Sequence, residues 1–253
     1  PNYIPMHEEH GAALQPVWLN VNIPEDAKAG DYTATITVSA DREKTLTLPL
    51  EVRVIDWAMP DPEDYNVALD LIQSPESVAM QYDVPLWSDK HFALLDQTFD
   101  LLGKLGDKTL YVTAVRRTHY GNEHAMVRWV RNDDFELQPD ISIVERYIDV
   151  ALNRMGRIDG IILYAWEPPY SQGHAGGTGT EGRIHDRPML YSLYNPETGE
   201  YEAARGPVWG TSESREFWEK LNVALKDMLK KRGLEDSLLF GLAGDHRPTK
   251  LAM

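Results

Sequence analysis

The hydrophobic pattern of this chain changes its period near residue 57, and this change constrains the fold more than any other feature. Residues 15–56 alternate apolar and polar side chains, as in the run TLTLPLEVRVID at 45–56. A period of two is typical of half-buried antiparallel strands. Beyond residue 66, short apolar runs alternate with amphipathic segments of helical period. The sequence therefore predicts two different folding units in one chain.

The first unit is predicted to be a β-sandwich module spanning residues 1–57. Its strands are predicted at 17–23, 32–38 and 46–54. Three strands alone are marginally stable, so we expect further strands to complete the module. Residues 58–65 end the alternation and carry two prolines and several acidic side chains, which predicts a linker.

The second unit, residues 66–253, is predicted to alternate strands and helices. The strands are expected at 66–72, 108–115, 159–166 and 237–245, and the helices at 88–106, 142–156 and 212–234. A hairpin is predicted at 126–140 and a long glycine-rich loop up to about residue 211. This order predicts parallel strands joined by crossover helices. Ser88 and Ser212 are the predicted N-caps of two helices, and Gly106 the predicted end of the first.

Two architectures fit this order, an open doubly wound sheet and a (β/α)8 barrel. No G-x-G-x-x-G motif follows the first predicted strand, and no G-x-x-x-x-G-K-[ST] motif occurs anywhere in the sequence, so the nucleotide-binding folds lose their best support. The long loops after the strands favour the barrel. Four strands are too few to close a barrel. The predicted fold class is thus a β-sandwich module plus an α/β domain that forms an incomplete TIM-like barrel. We expect the rest of the polypeptide, or a second chain, to complete it.

Charge and composition exclude several classes of partner. The formal net charge is -15, which argues against binding to nucleic acid or to an anionic membrane, because phosphates would be repelled. The chain has no cysteine and therefore no disulfide or thiol chemistry. No apolar run approaches the roughly 20 residues that span a bilayer. A neutral or cationic ligand remains open.

Glu167 is the strongest catalytic candidate. Active sites of barrels and open α/β sheets lie at the carboxyl ends of their strands, and Glu167 directly follows the apolar run DGIILYAW at 159–166. Trp166 beside it would raise the pKa of the carboxyl by desolvation, which suits a general acid. The alternative is an acidic residue that caps a loop or pairs with an arginine.

The same rule selects further side chains as substrate contacts. Arg116 and His119 follow the second predicted strand, and the alternative for them is a solvated loop. Asp245 ends the fourth strand, where it is either a second carboxylate or a turn residue. Asp70, after the first strand, is expected to be buried and is a weak candidate. The predicted substrate-binding set is Trp166, Arg116, His119, Tyr164, Trp209 and Asp245.

Trp209 has two interpretations, a platform that stacks on a sugar ring or a core anchor before the third helix. The spacing of His, Asp and Glu fits no metal template, so no metal is predicted, and no cofactor either.

Two segments resemble a known family. The run PVWLNVNIPEDAKAGDYTATITVSAD, followed by LPLEVRVIDWAMPDP, is similar to the β-sandwich module that precedes the catalytic barrel in glycoside hydrolase family 123-like proteins. The matching positions are Pro16, Trp18, Pro24, Ala29, Gly30 and Tyr32, with Asp56, Trp57 and Pro60 at the exit. The resemblance implies a carbohydrate-active protein with a glycan or oligosaccharide as partner. It also implies export to the periplasm or beyond the cell.

The segment LYAWEPP resembles the strand end that carries the catalytic Asp-Glu pair of the family. Glu167 corresponds to the acid/base Glu and Pro168 to its proline, while Trp166 replaces the Asp. That Asp orients the 2-acetamido nucleophile in substrate-assisted hydrolysis, and tryptophan carries no negative charge. The alternatives are another carboxylate, a sugar without an acetamido group, or loss of activity. Lost activity would leave a glycan-binding or scaffold relative, or an inactive fragment.

Overall fold

A computed structural model describes residues 16–40, 43–118, 120, 122–165 and 189–241. Two compact units divide the chain, Pro1–Pro60 and Asp61–Met253. Within the described ranges, no helix is both long enough and apolar enough to cross a bilayer.

The first unit is built on a two-stranded antiparallel sheet. β1 (Gly30–Val38) pairs with β2 (Leu46–Val54), and the register runs from Gly30 opposite Val54 to Val38 opposite Leu46. Two of the three predicted strands are thereby confirmed. The strand predicted at 17–23 is wrong, because this segment is irregular and Trp18 is 88% exposed. Alternation alone does not make a strand, since a strand also needs a neighbour that pairs with its backbone.

The second unit mixes helices with parallel and antiparallel strands. In chain order it contains a 3-10 turn (Pro62–Asp64), α1 (Pro75–Gln81), α2 (Asp89–Leu105), β3 (Thr109–Thr113), β4 (Arg128–Arg131), β5 (Leu137–Asp140), α3 (Ser142–Met155), β6 (Gly160–Tyr164), β7 (Leu190–Tyr194), β8 (Tyr201–Arg205), α4 (Ser212–Lys230) and β9 (Leu238–Gly241). The three long helices confirm the predicted ones. The short helix α1 was not predicted.

Strands β3, β6 and β9 form a parallel sheet in that spatial order, with β6 at its centre. The strand predicted at 66–72 is reduced to a single parallel bridge between Leu69 and Asp107. The side chain of Gln73 explains this reduction. Its Nε2 donates to the Thr109 carbonyl at 3.0 Å, and its Oε1 accepts from the Tyr111 N–H at 3.2 Å. A side-chain amide thus takes the hydrogen bonds that a neighbouring backbone would otherwise make.

The main core lies between this sheet and the helices. Leu110 and Val112 of β3 and Leu163 of β6 are fully buried in it. The helices contribute Phe92, Leu95, Phe99, Tyr147, Ile148, Ala151, Leu221, Leu225 and Leu229. Because side chains alternate along a strand, Tyr111 and Thr113 face away from the helices.

The ends of the helices show local capping chemistry. The Ser88 hydroxyl accepts from the His91 N–H at 3.2 Å, and Gly106 ends α2 in the left-handed conformation with φ +84°, which confirms both predictions. The N-cap predicted for α4 at Ser212 is wrong by one residue. The Thr211 side chain caps this helix and accepts from the Ser214 N–H at 3.2 Å.

The segments that follow β3 and β6 form a second sheet. Its order is β5-β4-β7-β8. The hairpin predicted at 126–140 is confirmed as β4 and β5. The prediction of an unbroken loop up to residue 211 is wrong, because β7 and β8 form an antiparallel hairpin within it. Parallel pairing of β4 with β7 joins the two hairpins. That pairing joins segments that lie about 60 residues apart in the chain, so no local sequence pattern predicts it.

Candidate active site

The carboxyl ends of the three parallel strands meet at one edge of the sheet. Thr113 lies opposite Tyr164, and Tyr164 lies opposite Gly241. The segments that hold the predicted candidates therefore start from neighbouring positions. Of those candidates Arg116, Tyr164 and Trp209 lie in the described part of the chain. Four others fall outside the described residues, namely Trp166, Glu167, His119 and Asp245.

Three tyrosines cluster at this edge. The rings of Tyr111 and Tyr120 meet edge to face with centroids 6.1 Å apart, and Tyr120 lies tilted on Tyr164 at 5.1 Å. Tyr164 is fully buried. Tyr111 comes from β3, Tyr120 from the connection after β3, and Tyr164 from the end of β6. Tyr164 was in the predicted substrate-binding set, and Tyr120 lies in the segment after the second predicted strand that the strand-end rule also selects. Tyr111 was not predicted, because it lies within a strand and not at its end.

Asp70 joins this tyrosine cluster through a hydrogen bond. The Tyr111 hydroxyl donates to Asp70 Oδ2 at 2.8 Å. Burial, and secondarily this carboxylate, raise the pKa of Tyr111, so the phenol stays a donor at physiological pH. Asp70 itself is exposed, so the expectation that it is buried is wrong. The reduction of the first strand to one bridge leaves its carboxylate accessible.

Arg116 is buried and holds the connection that follows β3. Its side chain donates to the Glu123 carbonyl at 2.6 Å and to Glu123 Oε1 at 2.7 Å, while its backbone N–H donates to the Leu190 carbonyl at 2.8 Å. These contacts tie the connection to itself and to β7. One guanidinium nitrogen, Nη1, is buried without a hydrogen-bond partner in the described part of the chain. The solvated-loop alternative does not describe this side chain.

Asn122 was not predicted, yet it organises the same connection. It is buried, and its Nδ2 donates to the Val115 carbonyl at 2.9 Å and to the His124 carbonyl at 3.2 Å. Its Oδ1 accepts from the Thr118 N–H at 3.0 Å and also from the Thr118 hydroxyl. Arg117, between these anchors, adopts φ +55°, an unfavourable value for a residue with a Cβ. The hydrogen bonds of the Asn122 side chain hold the backbone on both sides of Arg117 and so maintain its strained conformation.

Trp209 is half-buried and stacks on Trp218 of α4. The ring centroids are 5.1 Å apart and the planes 12° apart. Trp218 packs in turn against the core. This contact is that of an anchor before the helix, and the platform role stays a prediction.

Glu76 is a buried carboxyl that was not predicted, because no motif marks it in the sequence. It lies in the first turn of α1 and is 5% exposed. Neither of its side-chain oxygens has a hydrogen-bond partner in the described ranges. Desolvation raises its pKa to about 7. The pKa of the buried Tyr147 phenol is raised as well, first by burial and then by the nearby charge of an ionised Glu76.

His91 is fully buried and has a structural role. Its Nδ1 accepts from the Trp87 N–H at 3.0 Å, so Nε2 carries the hydrogen and donates to the Pro75 carbonyl at 2.9 Å. Burial lowers the pKa of the imidazole and keeps it neutral. Among the described residues, no three His, Asp or Glu side chains lie close enough together to hold a metal ion.

Residues 73–252 match the catalytic domain of glycoside hydrolase 123. This match covers more than half of the 253 residues. The chain belongs to glycoside hydrolase family 123. Residues 7–40 match the N-terminal domain of the same family. The predicted resemblance is thus confirmed for both units.

One similar solved structure is a family 123 glycoside hydrolase from Clostridium perfringens, studied for the hydrolysis of glycolipid glycans. The sequence identity is 21% and the TM-score 0.66, and the likeness covers 87% of this chain and 37% of the enzyme. At this identity the likeness establishes the fold, and the chain spans little more than a third of the enzyme's length. No curated protein matches the chain.

Proposed function

We propose that this member of family 123 is a glycoside hydrolase that cleaves a glycosidic bond in a glycan, with Glu167 as general acid/base. The observation that supports the proposal is the position of Glu167 three residues after Tyr164, which ends the central strand of the parallel sheet. Carboxyl ends of central strands are where α/β folds carry their catalytic groups. The carboxyl would protonate the glycosidic oxygen and then activate the water.

Substrate contacts are proposed for the remaining candidates. The Nη1 atom of Arg116 is buried and has no hydrogen-bond partner among the described residues, so it is proposed to donate to a ligand acceptor. Tyr164 contributes a ring at the edge where the strands end. His119, Trp166, Trp209 and Asp245 complete the proposed set. Asp245 follows β9 by four residues and is a candidate for the second carboxylate.

The architecture is proposed to be that of a β-sandwich module followed along the chain by an incomplete (β/α)8 barrel. Three adjacent parallel strands with crossover helices on one face support the barrel, and so does the fold likeness to a family 123 enzyme. The antiparallel pair β1 and β2 supports the sandwich. Export from the cell stays a prediction of the resemblance.

Trp166 favours a second candidate function. It stands where the family resemblance expects an aspartate beside the acid/base Glu. A protein that lacks this carboxylate, and has no substitute for it, would bind a glycan without cleaving it. The two functions differ in one observable, the release of product during long incubation with a bound glycan.

The test uses the purified protein and a panel of aryl glycosides of neutral hexoses and N-acetylhexosamines. We expect hydrolysis of at least one of them, and Glu167→Gln to lower kcat by about 100-fold or more, because it removes the transferable proton. Glu235→Gln is the matched control, since Glu235 is exposed in the turn between α4 and β9 at the opposite edge of the sheet. The control should retain the wild-type rate.

Three outcomes separate the candidates. A Glu167→Gln rate equal to the wild-type rate would reject the role of Glu167. Glycan binding without product would reject the hydrolase and support the binding protein. Neither binding nor hydrolysis across the panel would reject both functions.

A further inference from the structure

Asp70 is a charged side chain that none of the roles above uses. It follows Leu69, whose backbone bridges to Asp107 beside β3, and it is exposed. Its hydrogen-bond partner is the hydroxyl of Tyr111. None of the ion pairs between described residues includes Asp70. Within the part of the chain that the structure describes, the Asp70 carboxylate is thus exposed to solvent without a cationic partner.

Tyr111 fixes the orientation of that carboxylate. The phenol reaches Oδ2 at 2.8 Å, and its ring is 7% exposed and packed against Tyr120. An ionised carboxylate has about four acceptor positions. The phenol occupies one of them, so the others remain available to donors from solvent or from a ligand.

The surroundings of Asp70 combine two chemistries. The carboxylate contacts Tyr111, whose ring meets Tyr120, and Tyr120 in turn lies on Tyr164. Tyr120 is half-buried, while Tyr111 and Tyr164 are buried. Ligand sites characteristically join an apolar or aromatic lining with a few oriented polar groups. A pyranose offers the matching pair of features, an apolar C–H surface and a ring of hydroxyl donors.

We infer that Asp70 is a substrate-binding residue, whose carboxylate accepts hydrogen bonds from hydroxyls of a neutral sugar unit bound at the tyrosine cluster. This inference rests on the proposed glycan-directed function and names a contact within it. Tyr111 acts as the positioning residue, since it holds the carboxylate and does not itself need to touch the sugar.

The charge of Asp70 also sets a specificity. A carboxylate that accepts hydrogen bonds from hydroxyls repels a carboxylate or sulfate at the same place, which disfavours uronic acids and sulfated sugars. The net charge of -15 acts in the same direction over longer range. Neutral sugars are therefore the expected ligands of this position.

Calorimetric binding tests the inference without depending on catalysis. The probes are methyl glycosides of neutral hexoses and N-acetylhexosamines, together with the monodeoxy analogues of the tightest binder. Asp70→Asn should raise Kd about 10- to 100-fold, as expected for a hydrogen bond to a charged group, and Tyr111→Phe about 2- to 10-fold. Asp227→Asn, on the exposed side of α4, is the matched control and should leave Kd unchanged.

The monodeoxy analogues give a readout that a merely structural role would not move. Removal of the contacted hydroxyl should weaken binding to the wild type but cause little further loss in Asp70→Asn. Additive losses for every analogue would overturn the inference, and so would an unchanged Kd in Asp70→Asn. The proposed function would survive both results, because the wild type would still bind glycan. Absence of glycan binding by the wild type would overturn the inference and the proposed function together.

Discussion

The indole ring of Trp129 is stacked on the phenyl ring of Phe217, with centroids 3.8 Å apart and 23° between the planes. Trp129 lies in β4 and is fully buried, while Phe217 lies in α4 and is 7% exposed. Tyr191 of β7 meets the indole edge to face at 6.0 Å. This aromatic group fastens the four-stranded sheet to the helix that leads into β9.

Phe217→Ala should therefore lower the free energy of unfolding by about 3–5 kcal/mol, because it leaves a cavity beneath a buried indole. Urea denaturation followed by circular dichroism measures the change. Val223→Ala is the control on the same helix, since Val223 is 53% exposed, and it should change stability by less than about 0.5 kcal/mol. Equal losses in the two variants would contradict the role given to the stack.

Glu76 should make the stability of the protein fall as the pH rises. Its pKa is about 7 in the folded protein against an ordinary value of 4.5. The folded state therefore keeps its proton between those values while the unfolded state loses it. The contribution of the protonated carboxyl is fully present below pH 4.5 and lost as the pH rises through 7. At about 1.4 kcal/mol for each pH unit, the loss amounts to about 3 kcal/mol.

Glu76→Gln keeps the volume and cannot ionise, so it should remove this pH dependence. Urea midpoints at pH 4.5, 6 and 8 measure the effect. The exposed Glu235→Gln should follow the wild-type curve. A Glu76→Gln protein whose midpoints change with pH as steeply as those of the wild type would show that another group is responsible.

Alanine substitutions at two glycines should separate the cost of an unfavourable backbone conformation from the cost of a steric contact. Gly106 and Gly233 both adopt positive φ values, +84° and +67°, at the ends of helices that close with the same pattern of backbone hydrogen bonds. A Cβ at Gly106 would lie 2.7 Å from the Tyr65 ring, whereas nothing lies within 4 Å of one at Gly233. Gly233→Ala should cost about 1 kcal/mol from the backbone alone. Gly106→Ala should cost about 1–3 kcal/mol more, from the forced contact.

Urea midpoints of the two variants give the difference directly. Tyr65→Ala combined with Gly106→Ala should recover part of the additional loss, because it removes the ring that the new methyl group meets. Identical losses for the two single variants would refute the assignment of the additional loss to Tyr65.

Local signals predicted the long helices well. Ser88 and Gly106 mark the ends of α2, and both act within a few residues along the chain. The hairpin of β4 and β5 was predicted because its Asn132 turn is local too. The family resemblance rested on runs such as LPLEVRVIDWAMPDP and was confirmed by two domain matches.

Predictions failed where a segment's state depends on a distant partner. Residues 17–23 alternate as a strand does but do not form one. β7 and β8 lie where a loop was predicted, and β7 is held in the sheet by its pairing with the distant strand β4. At the candidate site, the strand-end rule selected Arg116 and Tyr164 but treated Asp70 as buried.

By itself, the sequence determined the period change, the long helices, the caps of α2 and the family, because each depends on contacts between near neighbours or on a contiguous motif. Only the tertiary structure decided that Gln73 replaces part of the first strand, that Tyr111 orients an exposed Asp70, and that Glu76 is buried with no hydrogen-bond partner among the described residues. These features join segments that are far apart in the chain. Their energies come from burial and from hydrogen bonds that exist only once those segments have been brought together.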